Sequence, residues 1–307
     1  MGDDRSSSTG KGEAERRPTL WQRRALKSLT KHARKHPGEP LTQDDWESYW
    51  QFGTQPTSRA VKRVLRALPS TPRCGYCGAP FAGLGGRIVK PLGYRPSRKN
   101  PNLCAACVEL APPGGTTTDV GVLFADLRGF TSRSEGLTPA EATALLRRFY
   151  GHAEKVFFPE ALIDKLIGDE VMALYLPALV VPGSTSAGEV THRTIAALML
   201  DHAKELLQRV GYGSHHAPEV EVGIGLDFGE AFIGNIGNES VHDFTAIGDV
   251  VNTASRLQAQ ASGGEVVVSA RLAAYLDDLP GDLEQLELKG KQDAVPAYRV
   301  RWFASTT

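Results

Sequence analysis

Apolar positions along this chain recur with a helical period in some segments and alternate in others, and the succession of the two patterns lays out its elements. Leu20, Ala25, Leu29 and Ala33 share one side of the segment 21–36, with Arg and Lys elsewhere, which predicts an amphipathic helix ended by Pro37-Gly38. A second helix is expected from about Thr42, with acidic residues in its first turn and an aromatic cluster of Trp46, Tyr49, Trp50 and Phe52. A third, over 58–68, is closed by Pro69 and Pro72. The run APPGGTTT (111–118) breaks the pattern and reads as a linker.

Beyond it, strands and helices alternate. DVGVLFADLR (119–128) is an apolar strand running into a polar turn. Residues 139–157 form a helix, with Thr138 as N-cap and Pro139 in the first helical position. The segment 162–176 reads as two strands hinged at Gly168-Asp169, and 188–210 as a helix. The segment 219–237 alternates and then breaks at Gly229, which predicts another hairpin there. A helix over 249–260, a strand over 265–269, a short helix over 270–278 and strands near 283–288 and 295–302 complete the chain. The order β-α-β-β-α-β with appended elements predicts an α+β fold with a ferredoxin-like core.

Charge divides the chain in the same place. The 307 residues have a formal net charge of zero, yet residues 1–115 hold 20 Lys/Arg against 9 Asp/Glu, leaving 15 against 26 for the remainder. A basic front and an acidic back argue for two units with different tasks. The first 18 residues are rich in Ser, Gly and charge and are expected to be a disordered tail. No stretch approaches the roughly 18–20 apolar residues of a membrane span, and the N-terminus lacks the apolar core of a secretory signal. The expectation is a soluble, cytoplasmic protein.

Four segments carry candidate chemistry: FADLRGFT (124–131), DKLIGDEVMA (164–173), FTAIGDVVNTASR (244–256) and LKGK (288–291). Asp126 lies where an apolar strand ends, and Asp169 lies in the turn of the next hairpin. If the two strands are neighbours, the carboxylates converge at one edge. Two such groups make a site for hard divalent cations, which take oxygen ligands together with substrate phosphates. Asn252 and Arg256 are four apart and project from one face of a helix.

In this order and at this spacing, the four segments resemble the signature segments of the class III adenylyl/guanylyl cyclase catalytic domain, over nearly all of 118–303. The resemblance implies that the ribose 3′-hydroxyl of ATP attacks its own α-phosphorus and that pyrophosphate leaves. It implies two Mg²⁺ or Mn²⁺ per site, held by Asp126, Asp169 and the Leu127 position. It assigns Asn252 to the ribose, Arg256 to the α-phosphate and Lys289 to the β/γ-phosphates, with Lys291 as a competitor for that last role. Phe130 and Thr131 fall in the turn whose backbone amides meet the triphosphate. Lys165 and Thr245 fall at the two purine-reading positions. A donor-only Lys suits adenine N1, and Thr can accept from the 6-amino group, although a hydroxyl also donates. This favours ATP over GTP and adenylate cyclase over a guanylate or mixed-specificity enzyme. The rival reading from another class is a degenerate cyclase domain kept as a sensor or interaction module; no signature position is lost. Family members build the site between two subunits, so a C2 homodimer with two sites is implied.

The four cysteines form two Cys-x-x-Cys pairs, Cys74/Cys77 and Cys104/Cys107. In a reducing compartment this pattern reads as a metal site, and a tetrahedral Cys₄ zinc in a ribbon-like unit fits it. An iron–sulfur cluster takes the same four ligands and is the second reading. The expected organisation is therefore a tail (1–18), a basic helical region (19–72), a Cys₄ module (73–110), a linker (111–118) and a catalytic domain (119–303). Nucleic-acid binding by the basic front is the lesser reading, because no base-reading motif accompanies the charge.

Overall fold

The computed structural model describes residues 56–109, 114–181, 188–237 and 242–303. The tail, the helices expected at 21–36 and from Thr42, and the aromatic cluster lie outside the described residues. Helix α1 (Pro56–Ala67) and helix α2 (Gly83–Val89) flank the first cysteine pair. Then come β1 (Gly114–Leu127), α3 (Pro139–Phe157), β2 (Leu162–Ile167), β3 (Glu170–Tyr175), α4 (Glu189–Arg209), β4 (Val222–Gly237), β5 (His242–Ile247), α5 (Asp249–Gln260), β6 (Val266–Ser269), β7 (Leu283–Leu286) and β8 (Val295–Val300). One-turn helices lie at Phe130–Ser134, Pro177–Val180 and Ala270–Ala273.

All eight strands join one sheet in the order β2-β3-β1-β4-β6-β8-β7, with β5 paired to β4. The first four strands are antiparallel in the order of a ferredoxin-like core, and β6 then adds parallel to β4. Strand β1 sits at the centre with both faces apolar. Leu123, Ala125 and Leu127 enter the core beneath α3 and α4, while Val120, Val122 and Phe124 face the other way. Helix α3 begins with the expected cap: Thr138 and Glu141 form a reciprocal capping box, with Pro139 at the first position. It buries Leu145, Phe149, Ala153, Val156 and Phe157, and α4 buries Ile195, Met199, Ala203 and Leu206 beside them.

Three expectations are corrected; first, the short helix expected over 270–278 is only the single turn Ala270–Ala273. The segment 222–237 does not turn back at Gly229; it is one sixteen-residue strand. Gly229 stays on the ladder opposite Val120, and the real hairpin joins β4 to β5. Its lost side chain, rather than a turn, explains the break in the alternation. The linker also ends earlier than its composition indicates. Gly114–Thr118 belong to β1 and pair with β4, because glycines there allow two backbones to touch. A Cβ on Gly234 would stand 2.1 Å from the Gly114 carbonyl oxygen.

The cysteine region is not a detached bead. Leu65, Cys74, Cys77, Val89, Tyr94, Leu103 and Val108 share one apolar cluster with Val120, Val122, Phe124, Leu162, Met172 and Leu174 of the sheet. It therefore covers part of the sheet face opposite α3 and α4. Among the described residues, no helix is long and apolar enough to cross a membrane.

Helix α5 lies directly on β4 at Gly225, where a Cβ would be 2.2 Å from Gln258 N and 2.3 Å from Ala254 O. Gly225→Ala should therefore push α5 off the sheet and lower stability by about 1–3 kcal/mol, read as a reduced midpoint in urea unfolding.

Candidate active site

At the far end of β1, Asp126 pairs in register with Glu170 of β3. The Gly168-Asp169 turn between β2 and β3 sets Asp169 beside them, with Gly168 in the left-handed region at φ 63°. Leu127 N donates to the Asp169 carbonyl at 3.4 Å. Burial, and then the charge of Asp169, raise the Asp126 pKa to about 6 against the opposing pull of Arg128. Burial, then Asp126 and Asp169, raise Glu170 to about 7. Burial beside Asp169 disfavours the charge of Asp126 and Glu170, which a divalent cation would relieve, so these oxygen ligands suit such an ion. Leu127 itself is buried in the core, so it can offer only backbone to this site. Phe130 packs against the same core and Thr131 is exposed. Gly129 turns the chain there with a left-handed φ of 66° and open space beside it.

Sequence reasoning missed two residues here. Glu170 is the cross-strand neighbour of Asp126, a relation only the register reveals. Arg128 holds Asp126 Oδ2 through Nη2 at 2.9 Å; its place two residues after the aspartate, in the same turn segment, was the available signal.

A second cluster assembles from β2, β5 and the cysteine region. Lys165 Nζ donates to Thr245 Oγ1 at 3.0 Å, bringing together residues eighty apart in the chain. Thr245 Oγ1 donates in turn to Asp164 Oδ2 at 2.6 Å. Asp164 falls where the β2–β3 register shifts between Ile163 and Lys165, and this bulge turns it inward. Its other oxygen accepts from Lys99 Nζ at 2.8 Å, and Lys99 also meets Asp243 at 3.1 Å. A groove of about 460 Å³ opens alongside, walled by Lys165 and Asp164 on one side and by Arg95, Arg98 and Lys99 on the other.

The third group sits on α5 and the loop before β8. Val250, Ala254 and Leu257 face the sheet, which leaves Asn252 exposed and Arg256 half-buried on the outer side. Gly290 adopts φ 76°, and a Cβ there would lie 3.3 Å from Arg256 Nη2, so the LKGK turn abuts the guanidinium. Lys291 is engaged by Asp249 at 2.5 Å, and this hydrogen bond and charge hold the Asp249 carboxyl below its usual range. Lys289 is exposed and makes no ion pair among the described residues. Among the described residues, no hydrogen bond or ion pair joins Asp126 or Asp169 to Lys165, Thr245, Asn252, Arg256 or Lys289.

The four cysteines are free thiols, all buried, with their sulfurs within 4.8 Å of one another. Cys77 and Cys104 sulfurs lie 3.6 Å apart, and those of Cys104 and Cys107 3.3 Å. A tetrahedral site with bonds of about 2.3 Å needs sulfurs roughly 3.8 Å apart, so this cluster fits one ion with little adjustment. Backbone amides of Cys77 and Cys104 already point at the Cys74 sulfur. Hydrogen bonds from the neighbouring thiols push Cys74 towards thiolate, while the same neighbours push Cys107 up.

Comparison with known proteins identifies the family. The profile of the adenylate and guanylate cyclase catalytic domain matches residues 114–300, and the chain belongs to that family. It is 28% identical over 212 residues to an adenylate cyclase of Anabaena cylindrica, covering 62% of this chain and 40% of that one. It is 28% identical over 187 residues to adenylate cyclase 1 of Rhizobium meliloti, covering 59% and 27%. The chain thus spans less than half the length of either relative. Among solved structures it resembles the guanylyl cyclase Cya2, with a TM-score of 0.50 and 28% identity over 63% of this chain and 96% of that one. Relatives named for both purines leave the base choice to the site itself.

With Asp126→Asn, and no divalent cation present, the Glu170 pKa should fall from about 7 but stay above 4.5, because burial persists. A carboxyl-carbon NMR titration of Glu170 reads this directly, and an unmoved midpoint would contradict the shared field.

Proposed function

We propose that this chain is an adenylate cyclase that converts ATP to 3′,5′-cyclic AMP and pyrophosphate at sites shared between two copies of itself. The observation that carries the reading is the contact between Lys165 and Thr245. It joins a donor-only cation to a hydroxyl acceptor at the two positions that face the purine, which suits adenine N1 and the 6-amino group.

In this reading Asp126 and Asp169 hold two Mg²⁺ or Mn²⁺, with the Leu127 backbone close by. When bound, such ions stabilise charge on the attacking 3′-oxygen and on the leaving pyrophosphate. Asn252 orients the ribose, so that the 3′-oxygen faces the α-phosphorus in line with the departing oxygen. Arg256 offsets the charge that develops on the α-phosphoryl oxygens, and Lys289, which makes no ion pair among the described residues, receives the β- and γ-phosphates. Phe130 and Thr131 follow the Gly129 turn, where the backbone lies open to a phosphate chain. The new bond joins the 3′-oxygen to phosphorus, and the bond to the β-phosphate oxygen breaks.

Two features support a shared site. The aspartates have no polar contact with the other functional side chains within a chain, and Asn252 projects outward from α5. A C2 dimer would bring the aspartates of one copy to Lys165, Thr245, Asn252 and Arg256 of the other. For the cysteine cluster we favour zinc over an iron–sulfur centre, and a reducing, cytoplasmic setting that keeps the thiols free. Its burial against the sheet gives it a structural task, and nucleic-acid binding by the basic front region is the lesser reading.

Purified protein given ATP and Mn²⁺ or Mg²⁺ should form cyclic AMP, with GTP a poorer substrate; formation of neither cyclic nucleotide would refute the proposal. Asp126→Ala and Arg256→Ala should each lower kcat by about 10²–10³. Mixed in equal amounts, the two inactive variants should recover about a quarter of wild-type activity, since half of the dimers would then hold one intact site. No recovery would contradict the shared site. Elemental analysis should find one zinc per chain, reduced to traces in Cys104→Ser.

A further inference from the structure

We propose that Asp164 and Lys99 set the base preference of the enzyme by fixing the direction of the Thr245 hydroxyl proton. This inference rests on the reading of Lys165 and Thr245 as the purine-facing pair. A threonine hydroxyl has one donor and two acceptor sites, so on its own it serves adenine, whose 6-amino group donates, or guanine, whose O6 accepts. Here its choices are already taken. Its proton goes to Asp164 Oδ2 at 2.6 Å, and one lone pair receives Lys165 Nζ at 3.0 Å. What remains is a single lone pair. Thr245 then acts as an acceptor only, as an aspartate would in its place. Adenine satisfies that lone pair, whereas guanine O6 sets acceptor against acceptor and leaves both unpaired.

Asp164 can impose this because of what surrounds it. It is buried, and the Lys99 ammonium holds it at both its Oδ1 (2.8 Å) and its backbone carbonyl (2.6 Å). Paired in this way it enters the network as a carboxylate, which accepts and cannot donate. Asp243 is the other acid at the cluster, 3.1 Å from Lys99 and 3.9 Å from Lys165, so two ammonium groups meet two carboxylates. Lys99 is itself anchored to the catalytic domain. Its carbonyl accepts from Ile163 N at 2.9 Å, and Asn100 Nδ2 donates to the carbonyls of Pro159 and Ala161 at 2.8 and 2.9 Å. Lys99 lies five residues before Cys104. The cysteine region thus supplies a positioning residue to the purine site, and Lys99 and Asp164 act through Thr245 without touching the base.

The test is the ratio of kcat/KM for ATP to that for GTP in the full chain and in Asp164→Asn, Lys99→Met and Lys99→Arg. An asparagine amide donates to Thr245 and frees its proton for O6. The ratio should therefore fall about tenfold in Asp164→Asn, the discrimination of one hydrogen bond, mainly through better use of GTP. Lys99→Met should follow it, and Lys99→Arg should keep the wild-type ratio. A merely structural defect would lower both substrates together and leave the ratio unmoved. Asp164→Asn preserves side-chain shape, and Lys99→Met is an independent second variant, so whichever folds decides the matter. A wild type that prefers ATP, with variants whose ratio stays within about twofold of it, overturns the relay alone. A wild type without preference removes the purine-facing reading as well.

Discussion

The structure depends on the burial of β1 on both faces and its pairing along both edges. Its neighbours β3 and β4 leave it no free edge, and α3 and α4 on one face, with α5 and the cysteine region on the other, bury Val120 to Ala125. Where it is fully enclosed the strand is apolar, from Val120 to Ala125, and Asp126 follows directly. The first carboxylate of the site therefore appears where burial ends. From there the β2–β3 turn delivers Asp169 and the register delivers Glu170. The raised pKa of Asp126 and Glu170 follows from acids held together at the rim of a dry core.

Much of this was legible in the chain. The capping box at Thr138 and Glu141, the turn at Gly168-Asp169 and the bounds of α5 rest on local chemistry, and local chemistry is written in adjacent residues. The departures come where a residue's meaning depends on a distant partner. Gly229 reads as a turn because glycine so often makes one, yet in place it is a strand residue facing Val120. Thr116, Thr117 and Thr118 look like linker in a run with Pro and Gly, yet they pair with β4. Of the site residues, the motif positions could be named from the sequence. Glu170, Asp164 and Lys99 could not, since their importance lies in whom they face.

The relation of the cysteine region to the catalytic domain is the largest gain from the structure. As sequence, the two looked separable by charge and by a linker. In the fold they share a hydrophobic cluster and a buried ion pair. Removing one partner from such a pair commonly costs about 3–5 kcal/mol, because a charge is left stranded. The pair therefore ties the position of β2, and with it Lys165, to the integrity of the Cys₄ cluster.

In the proposed reading, two chains divide one adenylate cyclase site between them. A crystal structure with Mn²⁺ and an ATP analogue that lacks the 3′-hydroxyl tests it most directly. Anomalous manganese peaks are expected between Asp126 and Asp169 of one subunit, with the adenine seated on Lys165 and Thr245 of the other. Manganese, nucleotide and both groups of residues converging within a single subunit would contradict it.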